Sequence, residues 1–210
     1  PAVACKAKVG HAGTLDPFAT GLLIVGVGRE ATKKLDEFKN LPKTYIATIK
    51  LGFMSDTFDK TGSIVKYEKN KLAPFFLFLK GGQERFLNKI LPNPHLEKEG
   101  IERTLKKFIG SQYQLPPMYS AKKVNGKKLY ELARQGIIIK RKKSKIKIYN
   151  IKLLEYNYPI LKIEVDCSSG TYIRTLVNDI GQKLGTGAYC EELVRTKIGE
   201  YTLNQAETIK

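Results

Sequence analysis

The 210-residue chain has no tryptophan, only two histidines and two methionines, and three cysteines. Cys5, Cys167 and Cys190 are odd in number and far apart, so they build neither a disulfide framework nor a zinc-ligand spacing. Three inert thiols in a reducing compartment, the cytoplasm, are expected. His11 and His95 offer no metal centre, and no metal is expected. No apolar run approaches the ~20 residues that span a bilayer, so the expectation is a soluble protein with no membrane partner. Internal repeats and low-complexity linkers are missing, and a chain of this length suits one buried core, hence one domain over residues 1–210. The opening residues PAVACKAK match no secretory or transit signal and start abruptly, which suggests that sequence before them is missing.

Acidic residues are scarce. Only 20 Asp and Glu stand against 37 Lys and Arg, and the net charge of +17 is spread along the chain rather than gathered in a tail. Such a surface attracts polyanions. The clusters Lys122-Lys123, Lys127-Lys128 and Lys140-Arg141-Lys142-Lys143 suit phosphates along an RNA stem, although any one lysine suits a solvated face equally well.

Hydrophobic patterning predicts both helices and strands. An apolar run from Gly21 to Val27 reads as a buried strand, followed by a helix over Glu30–Phe38 that Pro42 ends. From Thr44 to Phe53, Tyr45, Ala47, Ile49, Leu51 and Phe53 alternate onto one face of a strand. A short strand follows Gly62, and residues 69–98 carry no clear assignment. Helical spacing over Glu99–Ile109 and again over Lys127–Gln135 brackets the loop LPPMYSAKKVNG. Ile137–Tyr156 and Ile160–Cys167 alternate as half-exposed strands of an antiparallel meander, and Thr171–Leu184 reads as a helix stopped by Gly185.

The most informative segment is Gly10 to Leu22, GHAGTLDPFATGL. Its glycines free the backbone and Pro17 fixes the turn after Asp16, so a carboxylate is presented on a sharply turned loop. An isolated Asp-Pro is commonly only a turn. The whole string, however, resembles the signature loop of the TruB-type pseudouridine synthases. The match continues in family order through KTYIATIKLG from Lys43, SDTFDKTG from Ser55, PPMYSAKKVNGKKLYELARQG from Pro116 and SSGTYIRTLVNDIGQKLGTGAYCEELVRTKIG from Ser168.

The resemblance implies an α+β fold, a mixed and largely antiparallel sheet flanked by helices with a central RNA-binding cleft. It implies isomerisation of uridine to pseudouridine at position 55 in the T loop of tRNA. Such an isomerisation has no net redox change and loses no leaving group, so no cofactor is expected. Asp16 is then the catalytic nucleophile and Arg174 of GTYIR the arginine that keeps it ionised and aimed. Tyr45 matches the tyrosine that stacks on the target base and is suggested to help remove the C5 proton. A free phenol of pKa ~10 is a poor base, so stacking is the better-founded role. The nucleotide must be everted to be reached. By the same resemblance the substrate-binding residues are His11, Tyr172 and Leu193, which match positions that line its pocket, Gly13 and Thr14 of the signature loop, and Asp56, which resembles an aspartate of the cleft. The expected partner is the T stem-loop of tRNA, bound by a monomer whose affinity comes from its own basic surface, since no full C-terminal RNA-binding domain follows.

Three rivals compete with this reading. Gly26, Gly28 and Ala31 satisfy a G-x-G-x-x-A dinucleotide fingerprint, but Lys50 stands where a ribose-binding acid is wanted. SDTFDKTG looks like a calcium loop yet lacks the EF-hand spacing. A guide-RNA-dependent subunit or an inactive RNA-binding relative would keep the fold. Retention of Asp16, Tyr45 and Arg174 argues against lost activity, and FATG after Asp16 looks like the stand-alone bacterial form.

Overall fold

A computed structural model describes residues 7–68, 96–124 and 126–208. Cys5, His95 and most of the unassigned stretch 69–98 lie outside the described residues. The chain opens with strands β1 (Val9–His11), β2 (Thr20–Gly21) and β3 (Val25–Val27), then helix α1 (Arg29–Lys39). Strands β4 (Lys43–Leu51), β5 (Phe53–Ser55) and β6 (Ile64–Lys66) follow. Beyond residue 95 come α2 (Lys98–Lys106), β7 (Gly110–Gln114), β8 (Lys123–Val124), β9 (Lys127–Lys128) and α3 (Leu129–Arg134). The final part holds β10 (Ser144–Asn157), β11 (Ile160–Cys167), α4 (Ile173–Leu184), β12 (Ala188–Ile198) and β13 (Tyr201–Thr202).

Among the described residues, the central sheet has seven strands in the order β13-β12-β4-β11-β10-β7, with β2 added to β12. All its pairings are antiparallel except β2 with β12. The α+β expectation of a mixed, largely antiparallel sheet therefore holds. Period-2 burial carries the packing: Ala47, Ile49 and Leu51 of β4, and Leu161, Ile163 and Val165 of β11, are fully buried on one face. Helix α4 and helix α2 complete that core with Ile173, Leu176, Ile180, Ile101 and Leu105. Each such side chain contributes about 1.5–3 kcal/mol on leaving water.

Several boundaries differ from expectation. The run Gly21–Val27 is not one strand: β2 lies along β12, whereas β3 pairs with β1. The short strands β1, β8, β9 and β13 have no counterpart among the expected elements, and neither do two longer ones. One is β7, whose sequence GSQYQ has no apolar residue but Tyr113. The other is β12, which is interrupted by register shifts at 190/192 and 195/197 that break the two-residue period. Residues 137–143, expected as strand, precede β10.

The G-x-G-x-x-A string has a packing use. A Cβ on Gly26 would stand 3.0 Å from the backbone carbon and oxygen of Ala31, so glycine lets α1 lie directly on the β1–β3 pair. Because β1 and β3 are antiparallel, this is no dinucleotide-binding βαβ unit.

Candidate active site

The signature loop passes from β1 to β2 and is tied down at three levels. The amide of Ala19 donates to the carbonyl of Asp16 at 2.9 Å, closing the turn that Pro17 prepares. The Leu22 amide donates to the Arg195 carbonyl at 2.8 Å. The Arg195 side chain, 1% exposed, returns the contact: its Nε donates to the Leu22 carbonyl at 2.8 Å and its Nη2 to the Gly13 carbonyl at 3.1 Å. A fully buried cation on β12 is thus the clamp that sets both ends of the loop.

Asp16 meets Arg174 at the first turn of α4. Arg174 Nε donates to Asp16 Oδ2 at 2.8 Å and Nη2 to Oδ1 at 2.7 Å, a parallel two-bond pairing of fork with carboxylate. The other donors are taken too. Nη1 reaches the Thr57 carbonyl at 3.0 Å and Asp59 Oδ2 at 3.1 Å, and Nη2 also reaches the Tyr119 carbonyl at 2.9 Å. Four of the five N–H bonds of the guanidinium are therefore hydrogen-bonded, and the ion pair with Asp59 lies against Nη1. The Arg174 and Asp59 side chains are only 3% and 4% exposed, but that of Asp16 is 27% exposed. In this cluster of two carboxylates and one guanidinium, Asp16 is the one side chain that is partly open to solvent.

Asp59 is the carboxylate the sequence reading missed. Asp56, its neighbour in SDTFDKTG, lies exposed and accepts the Ser63 amide at 2.8 Å; it touches neither Asp16 nor Arg174. Asp59 is buried, accepting the Thr57 hydroxyl at 2.8 Å and the Thr61 amide at 2.9 Å. Phe58 between them has φ 64, a left-handed conformation that costs a bulky residue about 1–3 kcal/mol. That turn lets the Thr57 carbonyl and the Asp59 carboxylate face the same guanidinium. The spacing of two acids in one short loop does not reveal which one is turned inward.

Tyr45 lies half-buried on β4, directly opposite Arg195 of β12 and against the main core. Burial pushes its phenol above the ordinary value, while the charge of Arg195 and a hydrogen bond from it pull the other way. Leu193, opposite Ala47 on the same two strands, is buried in that core. Tyr172 precedes α4. Its amide donates to Gln114 Oε1 and its carbonyl accepts from Gln114 Nε2, both at 2.9 Å, so β7 fixes the helix entry. Burial also raises the Tyr172 phenol, with a hydrogen bond to Ser120 opposing and the charge of Asp16 adding to the rise. His11 and Thr14 are exposed on the approach to the loop, with His11 opposite Val25 in β1–β3. The structure thus brings Asp16, Arg174, Gly13 and Tyr172 into one connected network, with Tyr45 joined to it through Arg195.

The basic clusters divide. Lys122 donates to the Ser144 hydroxyl at 2.6 Å and Arg141 to the Pro116 carbonyl at 2.8 Å, so both brace the loop that supplies Tyr119. Lys123, Lys127, Lys140, Lys142 and Lys143 are exposed. Among the described residues no group of three or more His, Cys, Asp or Glu side chains is arranged to hold a metal ion. Nor is any helix long and apolar enough to cross a membrane.

Chemically, one partly accessible carboxylate held by two parallel hydrogen bonds from a buried guanidinium is suited to nucleophilic attack on an electrophilic carbon brought to it. A half-buried tyrosine near it offers a flat surface for a planar ligand.

The model for the TruB family pseudouridylate synthase N-terminal domain matches residues 2–75 and 81–173. The model for the tRNA pseudouridylate synthase B C-terminal domain matches residues 174–210, which here supply α4, β12 and β13. The tRNA pseudouridine synthase B of Parabacteroides distasonis is 45% identical over 95% of this chain and 74% of its own length. That of Protochlamydia amoebophila is 43% identical over 93% of this chain, which spans 65% of that relative. Among solved structures, a chain of a Cbf5-Nop10-Gar1 complex superposes with a TM-score of 0.60 at 26% identity, covering 92% of this chain and 42% of that one. A family model over most of the chain and a curated relative at 45% identity agree, and the chain belongs to the TruB family of pseudouridylate synthases.

Proposed function

We propose that the protein isomerises uridine to pseudouridine at position 55 in the T loop of tRNA, acting as a monomer in the cytoplasm. The observation that carries this reading is the pairing of Asp16 with Arg174, in which the arginine is buried and the Asp16 side chain is partly exposed. Membership of the family, and relatives named tRNA pseudouridine synthase B, support the substrate.

The target nucleotide leaves its stack and enters beside Asp16. Its base lies against the Tyr45 ring, with Tyr172 on the α4 side. The Asp16 carboxylate attacks C1′ and the bond between C1′ and N1 breaks, the uracil keeping that electron pair, after which the base turns in place. C5 then attacks C1′ and displaces the Asp16 carboxylate, so that the bond from C1′ to C5 forms as the bond to Asp16 breaks, the proton on C5 leaves, and N1 ends protonated. Atoms and charge balance without a redox partner, so the residues need no cofactor. Arg174 holds Asp16 in its attacking position, with Asp59 and the Thr57 and Tyr119 carbonyls fixing the guanidinium. Arg195 positions the loop and keeps the Tyr45 ring in place. The Tyr45 phenol, raised by burial, serves as a stacking surface rather than as a base.

The likeness to the Cbf5 chain raises a second reading, a subunit active only within a larger complex. The higher identity to the stand-alone relatives weighs against it. Purified protein incubated with bare tRNA tritiated at uracil C5 is expected to release label; absence of release would reject the proposal.

A further inference from the structure

We propose that the outward face of β7 and β10 is a second RNA-binding surface, which stacks an unpaired segment of the substrate RNA lying outside the modified loop. The inference rests on the proposed function for the identity of the RNA, but its observations are separate from the Asp16 site.

The two strands pair Lys145 with Tyr113 and Lys147 with Ser111. Directly opposed residues of an antiparallel pair share a face. Lys145, Lys147 and Tyr149 alternate with the buried Ile146 and Ile148, so they stand on the side turned away from the core. Tyr113 is 69% exposed and Tyr149 is 47% exposed, a large aromatic area for a sheet face to leave in water. The Lys147 ammonium lies 5.3 Å from the centre of the Tyr149 ring. Lys142 and Lys143, also exposed, lead into β10. None of these four lysines forms an ion pair with an acidic side chain among the described residues.

Flat rings interleaved with unneutralised cations on an open sheet face fit one ligand chemistry well. Phosphates meet the lysines while unstacked bases lie on the tyrosines. An acidic peptide would use the charge but leave the rings idle. A duplex would use the lysines but offers no exposed base faces. An unpaired RNA strand uses both.

The patch is also connected to the catalytic side of the sheet. Tyr113 points outward, and the next residue, Gln114, points inward to bind both backbone groups of Tyr172. Among the described residues, strand β7 is the last in the sheet order. Tyr113 is thus the immediate sequence neighbour of the residue that fixes Tyr172 beside Arg174.

The test uses the full chain and a fluorescent eight-nucleotide oligouridylate, with an RNA duplex and heparin as controls, alongside tritium release from tRNA. Tyr113→Ala/Tyr149→Ala is expected to weaken oligouridylate binding at least about ten-fold and duplex binding little. Lys145→Gln/Lys147→Gln is expected to lower the salt slope of oligouridylate binding by about 1.4. Both variants should keep the wild-type rate of tritium release at saturating tRNA while raising the tRNA concentration required. Unchanged oligouridylate affinity in the tyrosine variant would overturn the proposal. So would equal losses for oligouridylate, duplex and heparin, which would mark a plain charged surface. If wild-type protein releases no tritium yet the tyrosine variant still loses oligouridylate binding, the isomerase reading fails and this surface stands.

Discussion

At the scale of single residues, the site is a charge arrangement in which removal of either acid should have a different consequence. Asp16→Asn keeps the volume and loses the nucleophilic charge, so turnover is expected to vanish while tRNA binding stays close to wild type. Asp59→Asn leaves Asp16 in place but removes one of the two anions on Arg174. A loss of about 10- to 100-fold in single-turnover rate is expected, the range for a charged hydrogen-bond partner. Equal loss of RNA affinity in either variant would assign that aspartate to structure instead. Tyr45 provides a pH test. Its phenol is raised by burial, so the neutral form persists beyond the ordinary range, and the single-turnover rate should show no inflection below pH ~10 from this residue. A rise in rate through pH 8–9 that Tyr45→Phe abolishes would make the hydroxyl a base after all.

At the scale of elements, the chain was legible where one period governed a segment and illegible where tertiary contacts overrode it. Strand β4 and strand β11 alternate without interruption, and helix α4 carries a continuous apolar stripe, so each was placed to within a few residues. Strand β12 escaped because its two register shifts scatter Glu191, Glu192, Arg195 and Lys197 across the period. Yet β12 supplies Arg195, the clamp of the signature loop. Strand β7 escaped because its inward residues are glutamines, one of which is committed to the backbone of Tyr172. Asp16, Arg174 and Tyr45 could be singled out because the motif strings around them are long. Asp59 could not be separated from Asp56, since the left-handed Phe58 that decides between them has no signature in the sequence. The loop's fit on β12 is open to a direct test at Gly21. Its φ is 107, and a Cβ would stand 2.3 Å from the Arg195 carbonyl oxygen, a backbone atom that cannot move aside cheaply. Gly21→Ala is expected to lower urea stability by about 2–4 kcal/mol and to cost more activity than that loss explains at 25 °C.

At the scale of the whole molecule, charge and buried thiols set the response to solution conditions. With a net charge of +17, affinity for tRNA should fall steeply between 50 and 200 mM salt, read as a linear plot of log affinity against log salt. A flat plot would mean that the lysines do not meet phosphates. The Cys167 thiol is pushed up to about 12 by burial. A group whose value is raised on folding adds stability that is fully present below its unfolded value near 9 and is lost as pH rises toward the folded one. Thermal stability should therefore decline between pH 9 and 12, and Cys167→Ala should flatten part of that decline.

The clamp on the signature loop also bears on how the protein is made. Asp16 is oriented by a residue 158 positions later, and the carbonyl of Leu22 by a side chain 173 positions later. At ribosomal rates of ~5–20 residues per second, the aspartate is synthesised roughly 8–30 s before the arginine that aims it. During that interval the nascent chain carries an ordinary, unaimed carboxylate. On the proposed function, a chain cut short before Arg174 is therefore expected to show no reactivity toward RNA.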